Sequence, residues 1–280
     1  MKKILITGAN SYIGTSFEKW LKKWQEDYLV DSVDMIDGTW KEKSFSGYDV
    51  VFHVAGIAHI KETKENTELY YKVNRDLAYE VAEKAKSDGI KHFILLSSMS
   101  VYGMEKGVIS KNTVPLPKSN YGKSKLQGEE LITTLEEPNF KISVLRPPMI
   151  YGKGCKGNYT RLEKFALKSP IFPDMENRRS MIYIDNLCEF VKFIIDEEST
   201  GLFFPQNEEY VCTSEMVKTI AEVHGKKIYM TRLFNPLLRL LKFSTVNKVF
   251  GDLIYEKNVS GYKNKYCIYD LKKTIRLTEK

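Results

Sequence analysis

Ile4-Leu5-Ile6-Thr7-Gly8-Ala9-Asn10-Ser11-Tyr12-Ile13-Gly14 carries an apolar, β-favouring run straight into a glycine turn. Just beyond it, Phe17, Trp20, Leu21 and Trp24 recur at i, i+3, i+4, i+7, the stripe of an amphipathic helix. Strand, tight turn and helix are expected in that order. Gly8 permits the turn, and Gly14 lets the helix pack close to the strand. Unpaired N–H groups and the positive dipole at the helix start make a cradle for a pyrophosphate. This reading assigns Gly8, Asn10, Ser11, Tyr12, Ile13 and Gly14 to a bound dinucleotide.

Outward from that stretch, strand-like runs at residues 29–34, 50–54, 93–97 and 142–146 alternate with helical patterns. One helical stripe is Val73, Leu77, Ala78, Val81, Ala82 and Ala85. Strands that are nearly all apolar fit a sheet covered on both faces. The alternation predicts an α/β fold, a Rossmann-type doubly wound parallel sheet with right-handed crossovers. The interval from Asp34 to Val50 is too short for a full crossover helix plus another strand. Either the third strand is rudimentary or that helix is missing. Past residue 150 glycines and prolines recur, with helices expected around residues 187–195 and 214–224 and Gly225 stopping the second. The expected division is a dinucleotide-binding domain over 1–150 and a smaller α/β substrate-binding region over 151–280, with segments crossing between them.

Composition narrows the function classes. With 42% apolar and 12% aromatic residues, the 280-residue chain has enough apolar surface for a substantial core, which excludes disorder. A net charge of +7 on scattered basic residues favours anionic ligands and argues against nucleic acid. Cys155, Cys188, Cys212 and Cys267 lie far apart, so reduced thiols and a cytoplasmic location are expected. His53 and His59 do not match a ligand pair, and no metal is expected. No apolar run approaches the roughly 20 residues of a membrane span, and the N-terminal run is too short for a signal peptide. Residues 233–243, apolar but carrying Arg239 and Lys242, read as an amphipathic helix or a lid over a substrate cleft in preference to membrane contact.

Two assignments carry the chemistry. An acid ending the second strand would bind the ribose hydroxyls and favour NAD, and Asp34, twenty residues past Gly14, holds that place. Asp31 and Asp37 compete with it. No arginine lies between Tyr28 and Trp40 to receive a 2′-phosphate. The spacing Tyr-x-x-x-Lys occurs at Tyr102/Lys106, Tyr121/Lys125 and Tyr269/Lys273, and context decides among them. Gly103 interrupts the first pair, and the third lies outside the dinucleotide-binding half. Tyr121 and Lys125 fall in a helical pattern, one turn apart on one face. A phenol with a pKa of about 10 is a poor base at neutral pH, and an ammonium and a positive nicotinamide beside it would favour the phenolate. Ser97-Ser98-Met99-Ser100 follows a strand at the sheet's carboxyl edge and supplies hydroxyls to orient a substrate oxygen.

Together these features resemble the extended short-chain dehydrogenase/reductase family, within it the UDP-glucose 4-epimerase-like enzymes of nucleotide-sugars. The resemblance covers at least residues 1–190. It rests on the glycine turn, Val51-Phe52-His53-Val54-Ala55-Gly56, Val73-Asn74 and Ser98-Met99-Ser100-Val101-Tyr102-Gly103. Tyr121-Gly122-Lys123-Ser124-Lys125, Arg146-Pro147-Pro148-Met149-Ile150-Tyr151-Gly152 and Arg179-Ser180-Met181-Ile182-Tyr183-Ile184-Asp185 complete it. It implies Ser98, Tyr121 and Lys125 as the catalytic set, with Ser100 as a helper hydroxyl. Val54, Ala55, Gly56, Asn74 and Pro148 would line NAD. Asn158 and Arg179 would meet the diphosphate of a nucleotide-sugar, a UDP-sugar first. The reaction implied is 4-epimerisation, with 4-keto-sugar reduction as the alternative and a non-catalytic NAD-binding regulator the remaining class. Met99 and Ser100 stand where a dehydratase would carry an acid pair. A homodimer through helices around residues 66–86 and 121–135 is expected on the same ground. Two departures stand out: Ser11 replaces the family's middle glycine, and the chain is short around residues 35–48 and in its C-terminal half.

Overall fold

The computed structural model describes residues 1–58, 60–240 and 244–280. His59, weighed above as a metal ligand, and residues 241–243 of the basic-apolar segment lie outside them. The strands are β1 (Lys2–Thr7), β2 (Tyr28–Val33), β3 (Val50–His53), β4 (His92–Leu96), β5 (Gly107–Ile109), β6 (Lys141–Leu145), β7 (Met149–Tyr151), β8 (Ile171–Pro173), β9 (Met181–Tyr183), β10 (Gly201–Phe203), β11 (Tyr229–Thr231) and β12 (Leu253–Tyr255). The helices are α1 (Tyr12–Leu21), α2 (Thr67–Tyr71), α3 (Ala78–Ser87), α4 (Asn120–Thr133), α5 (Asn158–Lys168), α6 (Ile184–Asp196), α7 (Thr213–Val223), α8 (Asn235–Leu240), α9 (Ser244–Phe250) and α10 (Leu271–Glu279).

The chain forms two compact units. The first comprises Met1–Gly103, Val114–Pro147 and Leu187–Pro205. Its six-stranded sheet runs β10-β6-β4-β3-β1-β2, parallel throughout. The expected strands appear within two residues of their predicted limits. The three-residue edge strand β10 left no apolar run long enough to announce it.

No α-helix joins β2 to β3, and β3 is a full partner of β1. A single 3-10 turn, Thr39–Lys41, stands in the helix's place, entered through Gly38 in the left-handed region (φ 79°). Met35, Trp40 and Phe45 from this short link bury themselves in the core with Leu5, Val51 and Phe93. Three large side chains thus cover the sheet face that a crossover helix would cover. The same core takes Ala78, Val81, Ala82 and Ala85, the stripe read from the sequence. That stripe's N-terminal part is not regular helix. Between α2 and α3, Lys72–Leu77 is π-helical, a widening that periodicity cannot foretell.

The second unit comprises Met104–Thr113, Pro148–Asn186 and Gln206–Lys280. It carries three parallel pairs of short strands, β5 with β12, β7 with β9 and β8 with β11. Helix α5 packs on α7, and α7 on α10. Asp270 caps α10 by accepting from Lys273 N, and Gly225 (φ 67°) follows the end of α7 as expected.

Candidate active site

In the first unit the strand order reverses at β1, with β2 on one side and β3 on the other, and ligands of such sheets bind at the carboxyl ends beside the reversal. The chain there is closely tied. Gly8 and Ala9 N–H groups donate to Val33 O at 2.9 and 3.0 Å, and Val54 and Ala55 N–H groups donate to Thr7 O at 3.0 and 2.9 Å. Gly8 has φ 114°, and a Cβ on it would lie 2.8 Å from Ala55 N. Only glycine fits. Asn10 (φ 63°) holds the left-handed region that its side chain tolerates.

Ser11 explains its own departure from the glycine fingerprint. Its backbone is extended, and its Oγ accepts from Gly14 N at 3.1 Å as the N-cap of α1, which begins at Tyr12 and Ile13. The hydroxyl therefore turns into the helix's first turn. Gly14 is packed as expected, since a Cβ there would meet Ser11 Oγ at 2.7 Å and Ile6 Cγ2 at 3.1 Å.

Asp34 follows β2 directly, next to the residue whose carbonyl holds the glycine turn, and its Oδ1 accepts from Ile36 N at 2.7 Å. Its competitors are engaged elsewhere. Asp31 accepts from the Tyr48 hydroxyl at 2.7 Å, and Asp37 accepts from Thr39 N and Oγ1. Gly56 is the second tight point, where a Cβ would lie 2.9 Å from Asn74 Oδ1 and 3.1 Å from Lys125 Nζ. Asn74, buried in the π-helical turn, accepts from Ile57 N and donates to Ile57 O and Ser124 Oγ. Its side chain binds the loop after β3 to α4, so its place is structural support of the loop that carries Gly56.

Lys125 extends the line to β4, donating to Leu96 O at 2.9 Å. Ser98, two residues past β4, accepts from Ser100 N at 3.1 Å. Met99 N donates to Pro147 O at 2.9 Å, fixing this turn to the end of β6. The glycine turn, Ala55-Gly56, Lys125, Ser98 and Tyr121 thus follow one another along the carboxyl edge. Burial pushes the Tyr121 phenol above its ordinary pKa, with the Ser98 side chain pulling the other way. Burial brings the Lys125 ammonium down to about 8, with Glu129 holding it up. Tyr102, the rejected alternative, is buried, and its hydroxyl accepts from Arg146 Nη1 at 2.8 Å.

Several residues around this site escaped the sequence reading. Glu62 accepts from the backbone N–H groups of Asn120 and Tyr121, both at 3.2 Å, and with the N-cap Ser119 fixes the start of α4. Glu129, one turn past Lys125, is buried against Arg146 and Ser97. His53 is fully buried, pairs its Nδ1 with Thr7 Oγ1 at 2.8 Å, and is brought by burial and the nearby Lys125 to about 3. Its six-residue spacing to His59 had been its only apparent meaning. Among the described residues no cluster of His, Cys, Asp or Glu is arranged to hold a metal.

Asn158, Arg179 and Pro148 belong to the second unit. Asn158 is exposed at the first position of α5. Arg179 is half-buried and donates Nη1 to Gly251 O at 2.8 Å and Asn247 O at 3.4 Å. Burial lowers its pKa, against the pull of Asp252.

The turn at the β1/β3 reversal fits a dinucleotide: Gly8, at φ 114° and 2.8 Å from the Ala55 backbone, keeps the strand-to-helix turn open at the start of α1, where a pyrophosphate is held in such sheets. Comparison with known proteins agrees. A UDP-glucose 4-epimerase of Vibrio cholerae is 28% identical over 300 residues, covering 94% of this chain and 90% of its own. An N-acetyl-α-D-glucosaminyl-diphospho-ditrans,octacis-undecaprenol 4-epimerase of Escherichia coli O157:H7 is 27% identical, covering 89% and 81%. The crystal structure of the UDP-glucuronic acid 4-epimerase of Bacillus cereus with NAD superposes with a TM-score of 0.75 at 20% identity, over 99% of this chain and 97% of that one. Residues 4–211 match the family described as NAD dependent epimerase/dehydratase, and the chain belongs to that family.

Proposed function

We propose that this chain is an NAD-dependent 4-epimerase of a nucleotide-sugar, a UDP-sugar first. The observation that carries the reading is Lys125, one helical turn past Tyr121, with its buried amine donating to Leu96 O at 2.9 Å beside Gly56, at the strand end that leads into Ser98. Gly8, Asn10, Ser11, Tyr12, Ile13 and Gly14 would hold the pyrophosphate side of the cofactor, Asp34 a ribose, and Val54, Ala55 and Gly56 its flank. When bound, NAD supplies a hydride acceptor and donor for the sugar's C4. Tyr121 takes the proton of the 4-hydroxyl and returns it, and Ser98 orients that oxygen. Lys125, pinned to Leu96 O, brings positive charge to the phenolate. Ser100 is the helper hydroxyl of this reading, and Asn158 and Arg179 of the second unit are its candidates for the substrate's diphosphate, Arg179 by its fork of donors.

The UDP-sugar relatives and the polyprenol-diphosphate relative share a sugar joined through its C1 to a diphosphate, so that group is the handle this proposal expects. A cytoplasmic homodimer is part of the same reading. The four cysteines are thiols outside any disulfide, which suits a reducing compartment.

The test is a panel of UDP-, dTDP- and GDP-sugars, followed by NMR with and without added NADH. Interconversion at C4 without net NADH use is expected, and net consumption with a 4-keto sugar would assign a reductase instead. Tyr121→Phe should lower turnover about 10²- to 10⁴-fold with an unchanged circular dichroism spectrum. Full activity in that variant would remove the catalytic assignment.

A further inference from the structure

Residues 223–251 contain no aspartate or glutamate and six basic residues, where the chain's composition would ordinarily put about four acids. The same stretch exposes several large apolar side chains. Leu237 and Leu240 of the short helix α8 are 59% and 78% exposed, and Leu233 in the turn before it is 81% exposed. On the neighbouring strand pair Tyr229 stands opposite Ile171, and both are exposed, Tyr229 at 79%. Large apolar side chains gathered on one short stretch and turned to water are the reverse of what packing within a domain produces.

We infer that this face of the second unit docks on an anionic lipid bilayer surface. Charge supports that occupant. Lys226, anchored by Nζ to Leu167 O at 2.7 Å, and Lys227 precede β11, and Lys164 and Lys168 are exposed on α5 beside that anchor. Arg232 and Lys248 add nothing to this field, because Asp174 takes Arg232 at 2.9 Å, with Glu176 4.0 Å away, and Glu105 takes Lys248. A second copy of the chain would bring lysines against lysines across a two-fold interface, which is unfavourable. Anionic headgroups meet the lysines while the leucines enter the boundary between headgroups and acyl chains. The sequence reading preferred an amphipathic helix or a lid for this segment over membrane contact. Among the described residues of that segment a short helix is present over Asn235–Leu240, and its Leu237 and Leu240 are exposed. Among the described residues no helix is long and apolar enough to cross a membrane, so attachment is peripheral. The inference does not depend on the catalytic assignment.

The full chain is sedimented with extruded vesicles of mixed phosphatidylglycerol and phosphatidylcholine, and with phosphatidylcholine vesicles alone. Binding to the anionic vesicles is expected, weakening as salt rises. The triple variant Leu233→Ala, Leu237→Ala, Leu240→Ala should partition at least about tenfold less, because each truncation removes apolar area that the bilayer would bury. Lys226→Glu with Lys227→Glu should lose binding to anionic vesicles without altering the thermal midpoint. Wild-type protein remaining in the supernatant would overturn the inference, as would equal binding by the leucine variant or equal binding to neutral vesicles. Concentration-dependent self-association that the leucine variant abolishes, without vesicle binding, would assign the face to a second copy.

Discussion

Glu129→Ala is expected to destabilise the first unit by about 4 kcal/mol, and the site geometry shows why. Glu129 and Arg146 are 4% and 6% exposed. The carboxylate accepts from Arg146 Nε at 3.0 Å, from Nη2 at 2.5 Å and from the Ser97 hydroxyl. Arg146 also donates to the Tyr102 hydroxyl and holds its guanidinium carbon 5.1 Å from that ring's centroid. Removing the carboxylate leaves a buried guanidinium without its counter-ion and the buried Ser97 hydroxyl without that acceptor. Breaking one side of a buried pair costs about 3–5 kcal/mol, and the orphaned hydroxyl lies within that range. For a unit of this size each kcal/mol moves the midpoint about 2–4 °C, so a fall on the order of 10 °C should appear by circular dichroism. The double variant Glu129→Leu, Arg146→Met removes both charges and should cost less than either single change. A loss under about 1 kcal/mol for Glu129→Ala would refute the reasoning, as would a double variant whose cost equals the sum of the singles.

Two further outcomes follow from the same structure. Burial holds His53 at about 3 and His92 at about 4, below the ordinary imidazole value, so below about pH 6.5 the unfolded chain takes up protons that the folded chain refuses. Stability is therefore lost as pH falls from about 6.5 toward the folded values, by about 2 kcal/mol for each histidine at pH 5; urea unfolding of His92→Gln should show about that much less difference between pH 7.5 and pH 5. Ser11→Ala should cost about 1 kcal/mol by removing the cap on Gly14 N, whereas Ser11→Gly, which restores the family's glycine, should cost a few tenths; equal losses in thermal unfolding would show that the hydroxyl caps nothing.

The line of proposed site residues was legible because each member sits at a boundary that local chemistry marks. Gly8 and Gly14 bracket a strand end and a helix start, Ala55-Gly56 and Ser98 end apolar runs, and Tyr121 and Lys125 share a helical period. Local rules decide such places. The parts that stayed hidden all depend on residues far apart in sequence. Asn74 meets Ser124 across fifty residues, Ser97 meets Glu129 across thirty-two, and Glu62 meets Tyr121 across fifty-nine. Glu129 is the clearest case. On the page it is an acidic residue four past Lys125, the ordinary mark of a solvated helix face, and only the approach of α4 to the end of β6 turns it into a buried partner.

The link between β2 and β3 shows the same limit from the other side. Its length left room for only one of a crossover helix and a full third strand, and it is β3 that is complete, with the sheet face beneath the link buried. Trp40 is 3% exposed and Phe45 0%, and the Phe45 N–H is tied to Asp88 at 2.7 Å. Covering a sheet requires apolar volume and satisfied backbone groups, and a helix is only one way to supply them. Two aromatic side chains on a short link do so where the link is held at both ends, here by β2 behind it and by the acid at the end of α3 ahead. A missing helix in a doubly wound pattern is therefore no argument against the strand that follows it. The composition of the short link decides, and Met35, Trp40 and Phe45 were the residues to weigh.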